Sequence, residues 1–440
     1  MTISVLSVML LVAWPAFNIV LAGYAAAIAA WADRRRERRE DPGAPGPAAP
    51  AVMDGATPEA YWIVVPCLNE ERVVGRTVRS ALDMAAPGAR TEVLVVDDAS
   101  DDGTPDVLAG IDHPRLHVLR RELPDARRGK GEALNAAYAR IARTTRERGQ
   151  DPNRVIVGVI DGDGRGSPNL LAEVAEAMRD PRIAAVQSRV RIHNRDKLLG
   201  AVQDLEFGCV ADASQTVRSR LGSVGLGGNG QFARLAALDL LGPRPWSDCL
   251  VEDLELGLRL HLAGAGIGYV WRGCITQQGV TDVKRLLRQR TRWAQGNLQC
   301  ARYLVRLAKS PEIRNRALVE MAYYLLAPWL NAAGTVVIAV LWAYAGIQLA
   351  TGSSPLVSGG PGLGLGLWLA ALLAPGLGWA VLHRLRLRDE RLSRCLVAGL
   401  AYPGFLAMGL ISTWRAIGRQ VSGRGGWAKT ERLVEEPALA

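Results

Sequence analysis

Apolar positions follow three patterns along the chain. Residues 4–31 form one apolar run without a charged side chain. From about 60 to 300, short apolar runs alternate with stretches of helical period. Long apolar runs then return at 321–349, 363–382 and 395–414. A membrane span takes about 20 apolar residues. The pattern therefore predicts one span before a middle region and three after it.

The middle region predicts its own elements. Tyr61–Val65 reads as a strand, and Glu70–Met84 has helical period. Glu92–Val96 is a second strand, 105–110 a short helix and Arg115–Leu119 a third strand. Gly131–Arg146 is a helix. The apolar, β-branched run from Val155 then leads into Asp161. Strands alternating with helices predict a mostly parallel, doubly wound α/β sheet. No internal repeat is visible.

The charges beside the spans orient the chain. Arg34, Arg35, Arg36, Arg38 and Arg39 follow the first apolar run, placing the middle region in the cytoplasm and the N-terminus outside. The run is too long for a signal sequence and has no basic residues before it. Residues 42–58, rich in Pro, Ala and Gly, read as a flexible linker. Arg384, Arg386, Arg388, Arg391 and Arg394 mark another cytoplasmic stretch. Four spans put the C-terminus outside, whereas the basic residues of 415–432 argue for inside. One arrangement lays the aromatic stretch 317–330 along the interface rather than across it, which alone leaves the parity unchanged.

Composition narrows the class. Hydrophobic residues make up 49% of 440, and the net charge is +10. Mean hydropathy is +0.07, high for a soluble enzyme. The basic residues cluster beside spans and aromatics are only 6%. This disfavours nucleic acid and fits anionic lipid headgroups. Six scattered cysteines lack any C-x-x-C spacing and read as free thiols in reducing cytoplasm.

Candidate chemistry lies where strands end. Asp161-Gly-Asp163 follows the fourth strand, and ligands of open α/β sheets bind at such carboxyl ends. Carboxylates this close suit a cation between them, with Mg²⁺ or Mn²⁺ the matching hard ions. The second strand ends in Asp97 and Asp98, which would accept hydrogen bonds from a base or ribose. Lys130, between glycines at a helix start, can approach phosphate. Asp253 begins a further helix beside Glu252 and is the candidate base for an attacking hydroxyl. Thr281–Leu298 is an amphipathic, basic helix suited to a membrane interface. It carries Arg292, a candidate phosphate partner, and Trp293, a ring on which a ligand could stack. Asn229, in the glycine-rich 225–232 loop, is a possible sugar contact. The five histidines show no ligand spacing and read as structural or exposed.

The motifs PCLNE, VVDDASDDGT, KGEALN, DGD, GGNGQF, VED and QRTRW occur in that order. This series resembles the family 2 glycosyltransferases with a GT-A fold. It is similar, more narrowly, to their membrane-embedded processive branch, the cellulose, chitin, hyaluronan and poly-N-acetylglucosamine synthases. The likeness covers about residues 61–300. It implies a nucleotide-sugar site at Pro66, Asn69, Glu70, Asp97, Asp98, Lys130, Asp161 and Arg292. It implies metal ligation by Asp163 and Asp161, with Asp163 the more direct. It further implies Asp253 as general base beside Glu252, and Gln289 and Trp293 of Q-x-x-R-W at the acceptor. Val251 stands where the family usually has Thr.

The expected organisation is a membrane helix at 1–31, a basic linker at 32–59 and a cytoplasmic GT-A domain at 60–280, an α/β domain with a doubly wound mixed sheet. Interface helices at 281–320, three spans within 321–414 and a basic tail at 415–440 follow. The expected enzyme is a multi-pass plasma-membrane protein that moves sugar from a UDP-sugar to a growing β-linked polysaccharide, with inversion. An alternative transfers a single sugar to a lipid or membrane acceptor. A non-enzyme alternative is a sugar-nucleotide-binding subunit, against which the intact Asp98, Asp163 and Asp253 argue.

Overall fold

The computed structural model describes residues 57–86, 88–351 and 361–423. The expected first span, most of the linker, the 352–360 loop and the Trp427–Arg432 tail motif lie outside the described residues.

Eight strands form one sheet: β1 (Ala60–Cys67), β2 (Arg90–Asp97), β3 (Leu116–Arg120), β4 (Val155–Val159), β5 (Arg165–Gly166), β6 (Ile183–Ile192), β7 (Gln231–Arg234) and β8 (Gly266–Gln277). Their order is β3-β2-β1-β4-β7-β6-β8-β5. The first four pair in parallel, whereas β7 runs antiparallel to both β4 and β6. The sheet is therefore mixed, as the GT-A resemblance implies, and its β3-β2-β1-β4 block is the parallel part that the strand–helix alternation predicted. β7 is only four residues long and emerges from a glycine-rich loop, so periodicity carried little signal for it. Its Arg234 is fully buried and donates to the carbonyl oxygens of Asn153 and Met178.

Both faces of the central strands are covered, which is why they read as continuous apolar runs. Ala60, Trp62 and Val64 of β1 join Val155, Val157 and Val159 of β4 in one core layer. Helix α3 (Lys130–Glu147) closes that layer with Leu134, Ala137 and Ile141. Tyr61, Ile63 and Val65 face the other layer, against Val74 and Val78 of α1 (Val74–Asp83) and Leu171 of α4 (Leu170–Ala177). The short α2 (Thr104–Ala109) packs beside α1. Gly158 is needed in β4, because a Cβ there would lie 2.5 Å from the Phe232 ring.

A second group of helices follows β6: α5 (Leu198–Leu205), a π-helical turn at Glu206–Ala211, and α6 (Asp212–Leu221). Then come α7 (Leu235–Asp239), α8 (Glu252–Leu262), α9 (Val283–Cys300) and α10 (Leu304–Lys309). Three long helices end the described chain: α11 (Asn315–Ala350), α12 (Pro361–Leu387) and α13 (Leu392–Val421). Residues 317–330 continue into 331–350 as one helix, so the interface stretch is not a separate element. α12 and α13 meet through facing glycines. A Cβ on Gly376 would lie 2.1 Å from the Gly399 carbonyl, and one on Gly399 would lie 2.6 Å from that of Gly376. Small residues let helix backbones approach this closely. Among the described residues, α13 alone is both long and apolar enough to cross a membrane.

Candidate active site

Three chain segments converge at the carboxyl ends of β2, β1 and β4. β4 stops at Val159, and Asp161-Gly-Asp163 forms the turn beyond it. Thr77 of α1 donates to the Gly162 carbonyl at 2.7 Å, and Glu70 lies against Gly162. The Asp161 amide donates to Asn229 Oδ1 at 3.2 Å, and Asn229 Nδ2 donates to Gln277 Oε1 at 2.8 Å. Asn229 thus ties the acidic turn to Gln277 of β8 through the two ends of its amide. Gln187 holds the same loop by donating to the Asn229 carbonyl and accepting from the Gly227 amide. Asp163 is buried and accepts from the Gln278 amide at 3.0 Å.

Lys130 begins α3, with Gly129 before it at φ +116°. Its ammonium lies 2.6 Å from Asp161 Oδ1, 3.2 Å from the Gly228 carbonyl and 3.5 Å from Glu252 Oε1. Burial alone would lower its pKa. The charges of Asp161, Glu252 and Asp253 outweigh burial and hold it well above the ordinary lysine range.

Asp253 lies across Gly228 from this ammonium. A Cβ on Gly228 would be 2.8 Å from Lys130 Nζ and 3.0 Å from Asp253 Oδ2. Burial, then the charge of Glu252, pushes the Asp253 carboxyl up to about 7, against the pull of Lys130. A carboxylate poised near neutrality suits a general base. Its Oδ1 accepts from the Leu254 amide at 2.7 Å, which fixes the side chain at the start of α8.

The two acids at the end of β2 are tightly held. Asp97 accepts from Arg120 at 2.6 Å and from the Ser100 amide at 2.9 Å. Asp98 pairs with Arg121 and accepts from the Arg127 amide at 3.0 Å. Burial pushes the Asp98 carboxyl up, with Arg121 opposing. Asn69, at φ +54°, exchanges two hydrogen bonds with Asp101 and so ties the β1 loop to the β2 loop. Pro66 pairs with Val96 beyond the last residue of β1 that pairs with β4, where its missing N–H is tolerated. Arg120, Arg121 and Arg127 escaped sequence reasoning, because nothing in their spacing marks them as partners of acids on another strand.

Helix α9 carries Gln289, Arg292 and Trp293. It packs against the approach to α8 through Gly296, where a Cβ would lie 2.7 Å from the Val251 side chain. Gln299 accepts from the Leu250 amide. Trp293 has the Arg290 guanidinium 4.7 Å over its ring and Phe207 edge-on at 6.3 Å. One face of the indole is therefore already covered.

The histidines are structural where contacts define them. His261 bonds the Val224 carbonyl, His117 bonds Glu92, and His383 bonds Asp204. The six cysteines are free thiols.

Among the described residues, no group of three or more His, Cys, Asp or Glu side chains forms a protein cage for a metal. Asp161 and Asp163 offer hard oxygen donors from one turn. That set fits Mg²⁺ or Mn²⁺, which take one or two carboxylates and complete their shell with water and phosphate oxygens.

The mixed α/β sheet with acids and a lysine gathered at its strand ends is of GT-A type. The chain belongs to the glycosyltransferase-like family 2, whose model matches residues 58–296, and it is an enzyme of that class. It is 33% identical over 256 residues to the beta-monoglucosyldiacylglycerol synthase of Trichormus variabilis, covering 57% of this chain and 51% of that protein. It is 35% identical over 272 residues to the Synechocystis synthase of the same name, covering 59% and 52%. Identity to the poly-beta-1,6-N-acetyl-D-glucosamine synthase of Staphylococcus epidermidis is 26% over 245 residues, 54% of each chain. The chain spans about half the length of the curated relatives it matches. In fold it is similar to a mannosyltransferase of Pyrobaculum calidifontis solved with GDP-Man and Mn²⁺. The TM-score is 0.54 at 20% identity, over 88% of this chain and 98% of that one.

Proposed function

We propose that this enzyme transfers one hexosyl group from a UDP-sugar, with inversion, to the hydroxyl of a membrane lipid at the cytoplasmic face. The transfer chemistry is carried by one observation: Lys130 stands between the acidic turn at Asp161 and the Glu252–Asp253 pair. Asp161 and Asp163 would hold a divalent metal, which lends positive charge to the diphosphate. Lys130 and Arg292 add fixed cationic charge on the leaving-group side, a large electrostatic contribution in such a site. Asp253 takes the proton of the acceptor hydroxyl as it attacks the anomeric carbon. With one base and no protein nucleophile assigned, a single displacement follows, and the configuration inverts.

The acceptor is chosen by similarity. The relatives named for diacylglycerol glucosylation share 33–35% identity, against 26% for the polysaccharide synthase. The exposed apolar side chains of α11, among them Val319, Tyr323 and Leu330, suit a lipid-facing position. A second reading, polysaccharide extension, is favoured by the Gln289–Arg292–Trp293 motif alongside α13.

The test supplies purified full-length protein with diacylglycerol in mixed micelles and a panel of labelled UDP-sugars. A glycolipid bearing one β-linked sugar is expected. A polymer of many sugars would install the second reading, and an α-linked product would overturn inversion.

A further inference from the structure

The acceptor helix carries Arg290 at the first variable position of Q-x-x-R-W, a position to which that pattern gives no role. Arg290 lies between Gln289 and Arg292 on α9. It forms a two-pronged ion pair with Glu206 of the π-helical turn, one bond being 2.8 Å. Its guanidinium lies 4.7 Å from the centre of the Trp293 ring, 5.0 Å from Phe405 of α13 and 5.8 Å from Phe207. Phe207 itself meets the Trp293 edge. One cation thus sits among three aromatic rings from three elements, neutralised by one carboxylate. A planar guanidinium can pair with a carboxylate in its plane and stack on a ring across its face, which an ammonium cannot do.

The turn that supplies Glu206 and Phe207 is itself anchored. π-helical turns interrupt α-helices, often at functional sites. Here buried acids flank the turn on both sides. Asp204 accepts from Arg191 at 2.8 Å, from the Ile192 amide at 2.9 Å and from His383 of α12 at 3.0 Å. Asp212 accepts from Tyr269 at 2.7 Å and pairs with Arg386 of α12. Asp389, just beyond α12, binds Arg191 and Arg195, each at 2.8 Å. Inside the turn, a Cβ on Gly208 would lie 2.8 Å from Arg191 Nε and 3.4 Å from Leu387. The turn is thus held between β6 and the end of α12.

We propose that Arg290 is a positioning residue. Braced by Glu206, it fixes the Trp293 indole so that its remaining face receives the acceptor, and it ties that platform to α12 and α13. The inference rests on the reading that Trp293 lines the acceptor site. Arg290 touches neither sugar nor diphosphate in this scheme. Its loss therefore acts on acceptor use, and donor binding does not follow it.

The experiment compares Glu206→Gln, Arg290→Lys and Phe207→Leu with wild type in lipid nanodiscs. It measures KM for diacylglycerol, KM for the UDP-sugar and thermal midpoint. Each variant is expected to raise the acceptor KM roughly five- to tenfold, with the donor KM within about twofold of wild type. The charge-reversed pair E206R/R290E restores an ion pair but takes the cation from over the indole. It is expected to recover the thermal midpoint while the acceptor KM stays raised. Unchanged acceptor KM in the single variants, or donor and acceptor KM rising together, overturns the positioning role. Full recovery of acceptor KM in the reversed pair overturns the part given to the guanidinium. Absence of transfer by the wild-type protein instead overturns the lipid-acceptor reading itself.

Discussion

Lys130 Nζ lies 2.6 Å from Asp161 Oδ1, and the same ammonium faces Glu252 at 3.5 Å. The contact joins the start of α3 to the turn after β4 and brings the start of α8 to both. Under the proposed mechanism, this cation stabilises the departing diphosphate and separates three acids that would otherwise repel. Lys130→Met is therefore expected to lower kcat/KM by about 100-fold or more. Steady-state kinetics would measure this loss, and near-normal turnover would remove Lys130 from the mechanism. UDP titration would show whether donor binding weakens as well.

Asp253 supplies a pH signature. Its carboxyl is pushed up to about 7, chiefly by burial. A base acts only when deprotonated, so kcat/KM should climb as pH rises through about 7 and level off above. Asp253→Asn should leave UDP binding in place while abolishing transfer, and the rising limb should vanish from any residual rate. A full limb near 7 in that variant would assign it to another group.

Much of this arrangement was legible in the sequence, for a physical reason. Central strands buried on both faces leave continuous apolar runs, so β1, β2 and β4 were found within a few residues of their ends. Their polar exits, Asp97-Asp98 and Asp161-Gly-Asp163, stood out against those runs. The antiparallel β7 was not legible, because its four residues begin after a glycine loop and end in a buried arginine. Nor was the bracing by Gln187, Gln277 and Arg290. Those are single polar residues whose partners are distant in sequence, 84 positions for the ion pair of Arg290 with Glu206. Asn229 was legible as a polar residue of the glycine loop, but its link between the acidic turn and Gln277 was not.

Asp161 and Asp163, two carboxylates of one turn, are the proposed metal ligands. Such a site binds the ion well only with diphosphate present. EDTA is expected to stop transfer, with Mg²⁺ or Mn²⁺ restoring it. Asp163→Asn should raise the metal concentration needed for half-maximal rate by at least about tenfold. Activity indifferent to chelation would contradict the assignment.

Two glycines separate a catalytic from a structural consequence. A methyl at Gly228 would meet the ends of the Lys130 and Asp253 side chains, at 2.8 and 3.0 Å. Those groups can shift, so Gly228→Ala should cost activity while changing the thermal midpoint little. A methyl at Gly131 would lie 2.2 Å from the backbone oxygen of Ser247, which cannot move without its chain. Gly131→Ala should lower the midpoint by several degrees, an overpacking cost of about 1–3 kcal/mol. Parallel melting curves and rate measurements would separate the two, and equal effects on stability would refute the distinction.

The buried Asp204 carries the last prediction. Its carboxylate is 1% exposed and is bound by Arg191, by the Ile192 amide and by His383. Burial alone would raise its pKa, but these partners hold it well below the ordinary aspartate value. A depressed folded-state pKa gives stability that is fully present above the unfolded value, near 3.9. That stability declines as pH falls below the unfolded value and is gone once pH has passed the lower folded value. Asp204 should therefore contribute a constant stability from neutral pH down to about 5 and begin to give it up below about 4. Asp204→Ala would leave Arg191 buried with only Asp389 to pair with. Breaking such a pair costs roughly 3–5 kcal/mol. The thermal midpoint of the variant should fall sharply at pH 7, and the acid-side loss seen in wild type should flatten. A variant that melts with wild type at pH 7 would show that the Asp204 contacts add nothing to the hold on α12 beyond the Asp212–Arg386 and Asp389 pairs.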